Sequence, residues 1–108
     1  MSESFVSVAI IEPFEGLERE FVETVEELYA VMKDKKYSTD QLLKSRKEPR
    51  HYIHLRHWTS VQAREEALDD PDVHRIWARM GNLCRMVNVY QSTDMIYDSV
   101  SGNNLVVG

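Results

Sequence analysis

Three of the four histidines of this chain lie in one short stretch, "HYIHLRHW" at residues 51–58. A cluster of this kind first suggests a metal site, since imidazole is the commonest metal ligand in proteins. The stretch follows the turn residues "EP", and its pattern predicts a β-strand. Because side chains alternate along a strand, His54 points away from His51 and His57, which lie roughly 20 Å apart at about 3.3 Å per residue. These histidines cannot hold one metal ion and no other cluster has metal-ligand spacing, so the sequence predicts no metal site.

The same alternation divides the predicted sheet into two faces of different character. The strand at residues 50–58 carries an imidazole, a guanidinium and two aromatic rings on one face. With the small and polar residues of the neighbouring strands, they form a mixed face of Tyr52, His54, Arg56, Trp58, Ser7, Ala9, Asn88 and Tyr90. The opposite face is apolar in the flanking strands and carries Val6, Val8, Ile10, Val87 and Val89. The mixed face either leaves room for a ligand or forms a polar subunit interface, where Tyr, Trp and Arg are also enriched.

Length and composition restrict the classes of protein to consider. The chain has 108 residues, enough for one domain with a modest core, and no apolar run approaches the roughly 20 residues that span a bilayer. Its net charge of −5, from 13 basic and 18 acidic residues, disfavours nucleic acid and membranes as partners. Cys84 is the only cysteine, and the N-terminus lacks the basic start and cleavage site of a signal peptide, so we expect a cytoplasmic protein.

The order of the predicted elements is typical of a ferredoxin-like fold. Strands are predicted at residues 5–13, 37–47, 50–58 and 85–100, and helices at residues 15–36, at residues 59–68 and from Pro71 onward. The order β-α-β-β-α-β predicts an α+β domain at residues 1–100, with a four-stranded antiparallel sheet and helices on one face. Residues 101–108 are expected to be a C-terminal tail. The other sheet face would be bare in a monomer, and a second copy of the chain is the usual cover.

The two shorter helices carry recognisable start signals. Thr59, with Gln62 three residues later, matches a capping box and predicts the N-terminus of the first of them. Asp70 is the expected N-cap of the second, with Pro71 as its first helical residue. Trp77 lies on the apolar stripe of that second helix, a position more typical of a core residue than of a ligand wall.

The segment "YIHLRHWTSVQAREEALDDPDVHRIWARM" at residues 52–80 resembles the middle of the antibiotic biosynthesis monooxygenase family. There a strand that ends in Trp is followed by a short helix, a Ser/Asp-Pro-like break and a second helix. The first strand at residues 5–12 and the last at residues 86–98 are also similar, so the resemblance covers nearly the whole chain except the tail. It implies a homodimer in which two sheets pack face to face as a dimeric α+β barrel, with a pocket between sheet and helices in each subunit.

The resemblance also implies a type of chemistry. Known members oxygenate electron-rich aromatics such as anthrones and quinols without metal, flavin or haem, so we expect no cofactor. A second branch binds and degrades haem, with an Asn on the first strand and a His on the last helix. Here the first strand, "VSVAIIEP", has no Asn, and His74 falls a turn before the haem-ligand position, which disfavours haem degradation.

These expectations lead to a hypothesis for the mixed face. Cofactor-free oxygenation needs a base, donors for the developing oxyanion and apolar walls that exclude water. We expect His54 to be the base, since imidazole titrates near neutral pH, and Arg56 and Asn88 to hold the oxyanion. The aromatic residues expected to bind a small electron-rich substrate are Trp58, Trp77, Tyr90 and Tyr52.

Two other functions fit the same sequence. A non-catalytic dimeric module that binds a small hydrophobic ligand, or only itself, is supported by the lack of a sharp catalytic constellation. An RNA-binding domain would share the strand order. The acidic charge and the absence of a glycine-aromatic RNA-contact motif disfavour that third function.

Overall fold

The computed structural model describes residues 5–90 and has the predicted order of elements. The strands are β1 (Phe5–Pro13), β2 (Ser38–Lys44), β3 (Tyr52–Trp58) and β4 (Cys84–Tyr90), and the helices are α1 (Glu18–Asp34), α2 (Val61–Asp69) and α3 (Pro71–Met80). The strands form one antiparallel sheet in the order β2-β3-β1-β4. This is the predicted α+β, ferredoxin-like fold, which is confirmed. None of the helices within residues 5–90 is long and apolar enough to cross a bilayer.

The ends of the elements differ from the predicted ends for local reasons. Helix α1 begins after Gly16, whose φ of 84° makes a left-handed turn, and it ends just before Lys36, whose φ is 61°. The capping-box prediction at Thr59 is wrong, because the N-cap of α2 is Ser60, whose side chain accepts from the backbone N–H of Ala63. The predicted continuation of the last strand over residues 91–100 and the tail at residues 101–108 lie outside the described residues.

The helices cover the mixed face of the sheet rather than the apolar one. The buried core joins the helical residues Phe21, Val25, Leu28, Met32, Val73, Ile76 and Met80 to the sheet residues Ala9, Ile11, Tyr52 and Trp58. The alternating positions on the central strands, which include Val8, Ile10, Ile53 and Leu55, are only half-buried in this single chain. The face that the helices leave open is therefore the apolar face, as expected for a surface that another molecule covers.

A β-bulge changes which residues of β4 share a face with β1. Ile10 pairs with Asn88, whereas its neighbour Ile11 pairs with Met86, so the register shifts between these two positions. As a result Ala9 pairs with Val89, which joins the helix-covered face, and Asn88 shares the open face with Ile10. The predicted grouping of Asn88 with Ala9, and of Val89 with the apolar face, is therefore wrong, because strict alternation does not hold across a bulge.

Asp70 ties the end of α1 and the start of β2 to the start of α3. Its side chain accepts from the backbone N–H of Asp72 at 2.8 Å, which confirms the predicted N-cap. It also accepts from Nζ of Lys35 at 2.7 Å and from the hydroxyl of Tyr37 at 2.6 Å. Hydrogen bonds from Lys35 and Tyr37 hold the pKa of this carboxyl well below its ordinary value of 3.8. Stability from this cluster is therefore present in the ionised state of Asp70.

Replacing Asp70 tests this cluster. Asp70→Ala removes the N-cap and leaves the Tyr37 hydroxyl without its acceptor, so we expect the free energy of unfolding to fall by about 2 kcal/mol. Asp70→Asn is the matched variant, because it keeps a capping oxygen and loses only the charge, and its loss should be smaller. Urea unfolding at neutral pH measures both values, and equal losses would contradict the role of the cap.

The natural chain and Asp70→Asn together test how the stability from this cluster depends on pH. Because the folded-state pKa of Asp70 is lowered, its extra stability is present above the unfolded-state value, close to 3.8, and is lost as pH falls through the folded-state pKa. The difference in unfolding free energy between the natural chain and Asp70→Asn should be constant at higher pH and shrink below that value. A difference that grows on acidification would contradict the assignment.

Candidate functional site

A cavity of about 350 Å³ lies between the helix-covered face of the sheet and the helices. Its size is in the range of small-molecule sites, which are mostly apolar with a few placed polar groups. Aliphatic side chains from β1, α1 and α3 form much of the wall, among them Ile11, Val25, Leu28 and Met80. The polar groups come mainly from β3, whose alternate side chains face into the domain.

Four of the seven predicted site residues line this cavity: His54, Arg56, Trp58 and Trp77. Two do not line it. Asn88 is carried to the open sheet face by the bulge. Tyr52 lies at the start of β3, where its ring packs against Phe21 at 5.2 Å between centroids and its hydroxyl donates to the carboxylate of Glu18. For the seventh, Tyr90, the backbone pairs with Val8.

His54 is held from the side of α1 rather than left to solvent. Its Nδ1 atom lies 2.5 Å from the hydroxyl of Tyr29, and the two rings stack with centroids 5.4 Å apart and 29° between planes. Burial, with the nearby charge of Arg56 as a second cause, lowers the pKa of His54 to about 3. The expectation that this imidazole titrates near neutral pH is therefore wrong, and it faces the cavity as a neutral ring.

Tyr29 is a site residue that the sequence reasoning missed. It lines the cavity, and its hydroxyl donates to the backbone carbonyl of Gln41 at 3.3 Å in addition to its contact with His54. Burial, with Asp40 nearby, raises the pKa of Tyr29 above its ordinary value, so this hydroxyl stays protonated. Its position in the sequence could have indicated that it faces the sheet, because Tyr29 lies beside Leu28 and four residues after Val25, on the flank of the apolar stripe of α1.

Arg56 is anchored by a second residue that the sequence reasoning missed, Asp40 on β2. The two residues are register partners, and Nε of Arg56 donates to Asp40 at 2.7 Å, with side-chain exposures of 7% and 0%. Ser38 donates to the same carboxylate at 3.1 Å, and the guanidinium lies over the ring of Trp58 at 5.2 Å. The Nη2 group of Arg56 is buried without a hydrogen-bond partner among residues 5–90. Asp is uncommon inside strands, so its presence in β2 could have indicated a charged partner on the neighbouring strand.

The two tryptophans have different positions in the wall. Trp58 is part of the core, and its indole N–H donates to the hydroxyl of Ser7 at 2.8 Å. Trp77 is half-buried, and His74 packs edge-on against it with centroids 5.5 Å apart. His74 is exposed and contacts the carbonyl of Leu68, so it lies outside the cavity, in line with the departure from the haem-binding pattern.

Cys84 also lines the cavity but is not placed for nucleophilic chemistry. Its thiol is buried and donates to the carbonyl of Met80 at 3.3 Å, and burial raises the pKa of this thiol. Within residues 5–90, no three His, Cys, Asp or Glu side chains lie close enough together to hold a metal ion. Arg64 on α2 also lines the cavity, so the described cavity residues offer a neutral imidazole, a paired guanidinium, a second guanidinium and aromatic walls.

The ion pair between Arg56 and Asp40 can be tested by unfolding. Asp40→Leu leaves a buried guanidinium without its partner, so we expect a loss of about 3–5 kcal/mol in the free energy of unfolding. In Asp40→Leu/Arg56→Met both charges are replaced by apolar groups, and most of that loss should be recovered. Urea denaturation measures both proteins. A double variant that is no more stable than Asp40→Leu would show that the pair is not the cause of the loss.

Comparison with known proteins adds to this geometry. No family model matches the sequence, and no curated protein is similar to it in sequence. Among solved structures, the cofactor-independent oxygenase SnoaB from Streptomyces nogalater superposes with a TM-score of 0.72 at 15% identity, over 99% of this chain and 100% of SnoaB. A protein from Bacteroides thetaiotaomicron, provisionally named an antibiotic biosynthesis monooxygenase, has a TM-score of 0.76 at 11% identity over 95% and 96% of the two chains. A protein with the same provisional name from Chloroflexus aurantiacus has a TM-score of 0.73 at 14% identity over 94% and 97%.

The structural likeness extends over nearly the full length of each of these proteins. Identities this low carry no information about substrate, so they bear on the fold alone. The resemblance seen in residues 52–80 is thereby confirmed at that level: the chain has the fold of the antibiotic biosynthesis monooxygenases.

Proposed function

We propose that this chain is a cofactor-independent monooxygenase of the antibiotic biosynthesis monooxygenase family. Its substrate is a small electron-rich aromatic of the quinol or anthrone type, and its setting is the cytoplasm. The observation that carries the proposal is the placement of His54 and Arg56 on one face of β3, both lining a cavity walled by Trp58 and Trp77. This supplies a proton acceptor, a cationic donor and stacking surfaces in one enclosed site.

The reaction starts with removal of a proton from the hydroxyl of a phenol or of an anthrone in its enol form. His54 takes that proton, and the guanidinium of Arg56 stabilises the oxyanion. The anion passes one electron to oxygen, and the resulting aryloxyl radical combines with superoxide in a carbon–oxygen bond at a ring carbon that carries spin. After protonation the hydroperoxide loses water, so that a CH₂ group and O₂ become a carbonyl and H₂O. The two tryptophans hold the ring and exclude water during these steps.

The low pKa of His54 restricts when this imidazole can take up a proton. In the ligand-free cavity the imidazolium is unfavourable, because it is buried and lies near the positive charge of Arg56. An arenolate formed beside both groups adds a negative charge that offsets these two costs. Proton transfer to His54 is therefore coupled to formation of the anion, and the base is active only with substrate bound.

The same pKa favours one alternative function. A neutral imidazole with little tendency to gain a proton is also suited to accept a hydrogen bond without proton transfer. The alternative is a non-catalytic dimeric module that binds a small hydrophobic ligand in this cavity. The two functions differ in oxygen consumption, since a binding module shifts its melting temperature with ligand but consumes no oxygen.

A homodimer is part of the proposed function. Half-buried apolar residues of β1 and β3, among them Val8, Ile10, Ile53 and Leu55, form an open sheet face in the single chain. Apolar β-sheet faces of this kind are covered in stable proteins, and closed pairs of identical chains are the commonest way. The dimer would join two such sheets face to face and leave each cavity on the far side of its own sheet.

The first test is oxygen uptake by the purified, metal-free protein with a panel of quinols and anthrones. We expect uptake that saturates with substrate and exceeds the rate without protein. His54→Ala should slow this uptake by about 100-fold or more, because the proton acceptor is gone. His51→Ala is the matched control, since His51 does not line the cavity and lies immediately before the same strand. Equal rates in the two variants would remove His54 from the mechanism.

The second test concerns the dimer. Leu55→Glu places a charge in the centre of the open face, so we expect the variant to sediment as a monomer at concentrations where the natural chain sediments as a dimer. Val61→Glu is the control, because it adds the same charge to an exposed position on α2 that does not line the cavity. A natural chain that sediments as a monomer at all concentrations would contradict the dimer.

A further inference from the structure

The hydroxyl of Tyr29 lies between two groups that compete for its single proton. Its oxygen is 2.5 Å from Nδ1 of His54 and 3.3 Å from the backbone carbonyl oxygen of Gln41. A carbonyl oxygen can only accept a hydrogen bond. A hydroxyl that donates its proton to Gln41 must accept at His54, which requires a proton on Nδ1.

Donation by Tyr29 to Gln41 would in turn decide which nitrogen of His54 remains for a ligand. A neutral imidazole has one N–H and one bare nitrogen. With the proton on Nδ1, the bare nitrogen is Nε2, which has no hydrogen-bond partner among the described residues. The ring lines the cavity, and stacking on Tyr29 holds its orientation. In this tautomer the cavity has an acceptor, rather than a second N–H donor, on its His54 side.

The remaining walls indicate what kind of donor fits this acceptor. Trp58, Trp77 and the aliphatic residues of α1 and β1 surround the polar groups, so the bulk of a ligand must be apolar and flat surfaces favour an aromatic ring. Arg56 and Arg64 already supply positive charge in the site, which disfavours an ammonium ligand. A hydroxyl on an aromatic ring is the donor that meets both conditions.

We propose that Tyr29 fixes the Nδ1–H tautomer of His54 and thereby makes the cavity select hydroxyarenes, bound through a neutral hydroxyl that donates to Nε2. Tyr29 is a positioning residue in this proposal, since it acts through His54. The proposal rests on the proposed function in taking this cavity as the ligand site and a ring hydroxyl as the group that meets His54. It specifies how that hydroxyl is selected and does not require that the ligand react with oxygen.

The tautomer is measured first, in the natural chain without ligand. Nitrogen NMR of protein labelled at histidine distinguishes a protonated from a bare ring nitrogen, and His54→Asn identifies the His54 signals. We expect a protonated Nδ1 and a bare Nε2 across the neutral pH range. A protonated Nε2 with a bare Nδ1 would overturn the proposal, and this result needs no variant of Tyr29.

Ligand selection is measured by anaerobic NMR titration, which excludes turnover. The probes are 2-naphthol and 2-methylnaphthalene, which have nearly the same shape but differ in the hydrogen-bond donor. We expect the ratio of the two dissociation constants to favour naphthol, and to fall by about threefold or more in Tyr29→Phe, the effect of one net hydrogen bond. Tyr37→Phe is the matched control, because its hydroxyl bonds to Asp70 outside the cavity, and its ratio should equal that of the natural chain.

The outcomes separate this proposal from the proposed function. A ratio that is the same in Tyr29→Phe and the natural chain, or no binding of naphthol to the natural chain, would overturn the selection of hydroxyarenes. A ratio that depends on Tyr29, together with no oxygen uptake in air, would support the selection and contradict the monooxygenase. Oxygen uptake with a ratio independent of Tyr29 would support the monooxygenase and overturn the role of Tyr29.

Discussion

Polar side chains on β3 lie on the face that the helices cover, and each of them needs a partner there. An imidazole or guanidinium taken out of water without a hydrogen bond costs free energy that a domain of this size can hardly offset. Asp40 on β2, which also accepts from the hydroxyl of Ser38, satisfies one edge of Arg56, and Tyr29 on α1 satisfies one edge of His54. The charge distribution of the cavity follows from these partners, whereas the apolar stripe of α1 packs that helix into the core. The atoms that these partners leave unpaired, Nη2 of Arg56 and Nε2 of His54, are the ones that a ligand can contact.

The β-bulge in the pairing of β1 with β4 decides which residues can contribute to the cavity. Without it, Asn88 would share the helix-covered face with Ala9 and offer an amide beside His54. With it, Val89 takes that place and the wall at β4 becomes apolar, with Met86 and Cys84 further along. The polar groups of the cavity thus come from β3 and its partners, from Ser7 on β1 and from Arg64 on α2, and the remaining wall is apolar and excludes water.

Much of the fold follows from the sequence because the period of its apolar residues is clear. The stripe on α1, the N-cap at Asp70 and the alternation along β1 and β3 are local patterns, and they predict the elements and their order. The placing of His54, Arg56 and Trp58 on one face needs only that alternation. The predicted face of Asn88 and Val89 was wrong because it depends on the register between strands. The bulge at Ile10 changes that register, and no local pattern sets it.

The partners of the site were hidden for a similar reason. Tyr29 and Asp40 are 25 and 16 residues away from His54 and Arg56 in sequence, and only the packing of α1 and the β2 register bring them together. The shift in the pKa of His54 follows from burial under α1, so its ordinary value near neutrality was a poor guide. A sequence pattern can show which side chains share a strand face, but how deeply those side chains are buried depends on the whole fold.

In the proposed function, this cavity brings an oxygen atom from O₂ to a carbon of an aromatic substrate with no group beyond its own side chains. The most direct measurement is mass spectrometry of the product formed by purified, metal-free protein from an anthrone under isotopically labelled oxygen gas. We expect one labelled oxygen atom in the new carbonyl group, with the label absent when labelled water replaces labelled oxygen. Product that carries oxygen from water, or no product beyond the rate in buffer, would contradict it.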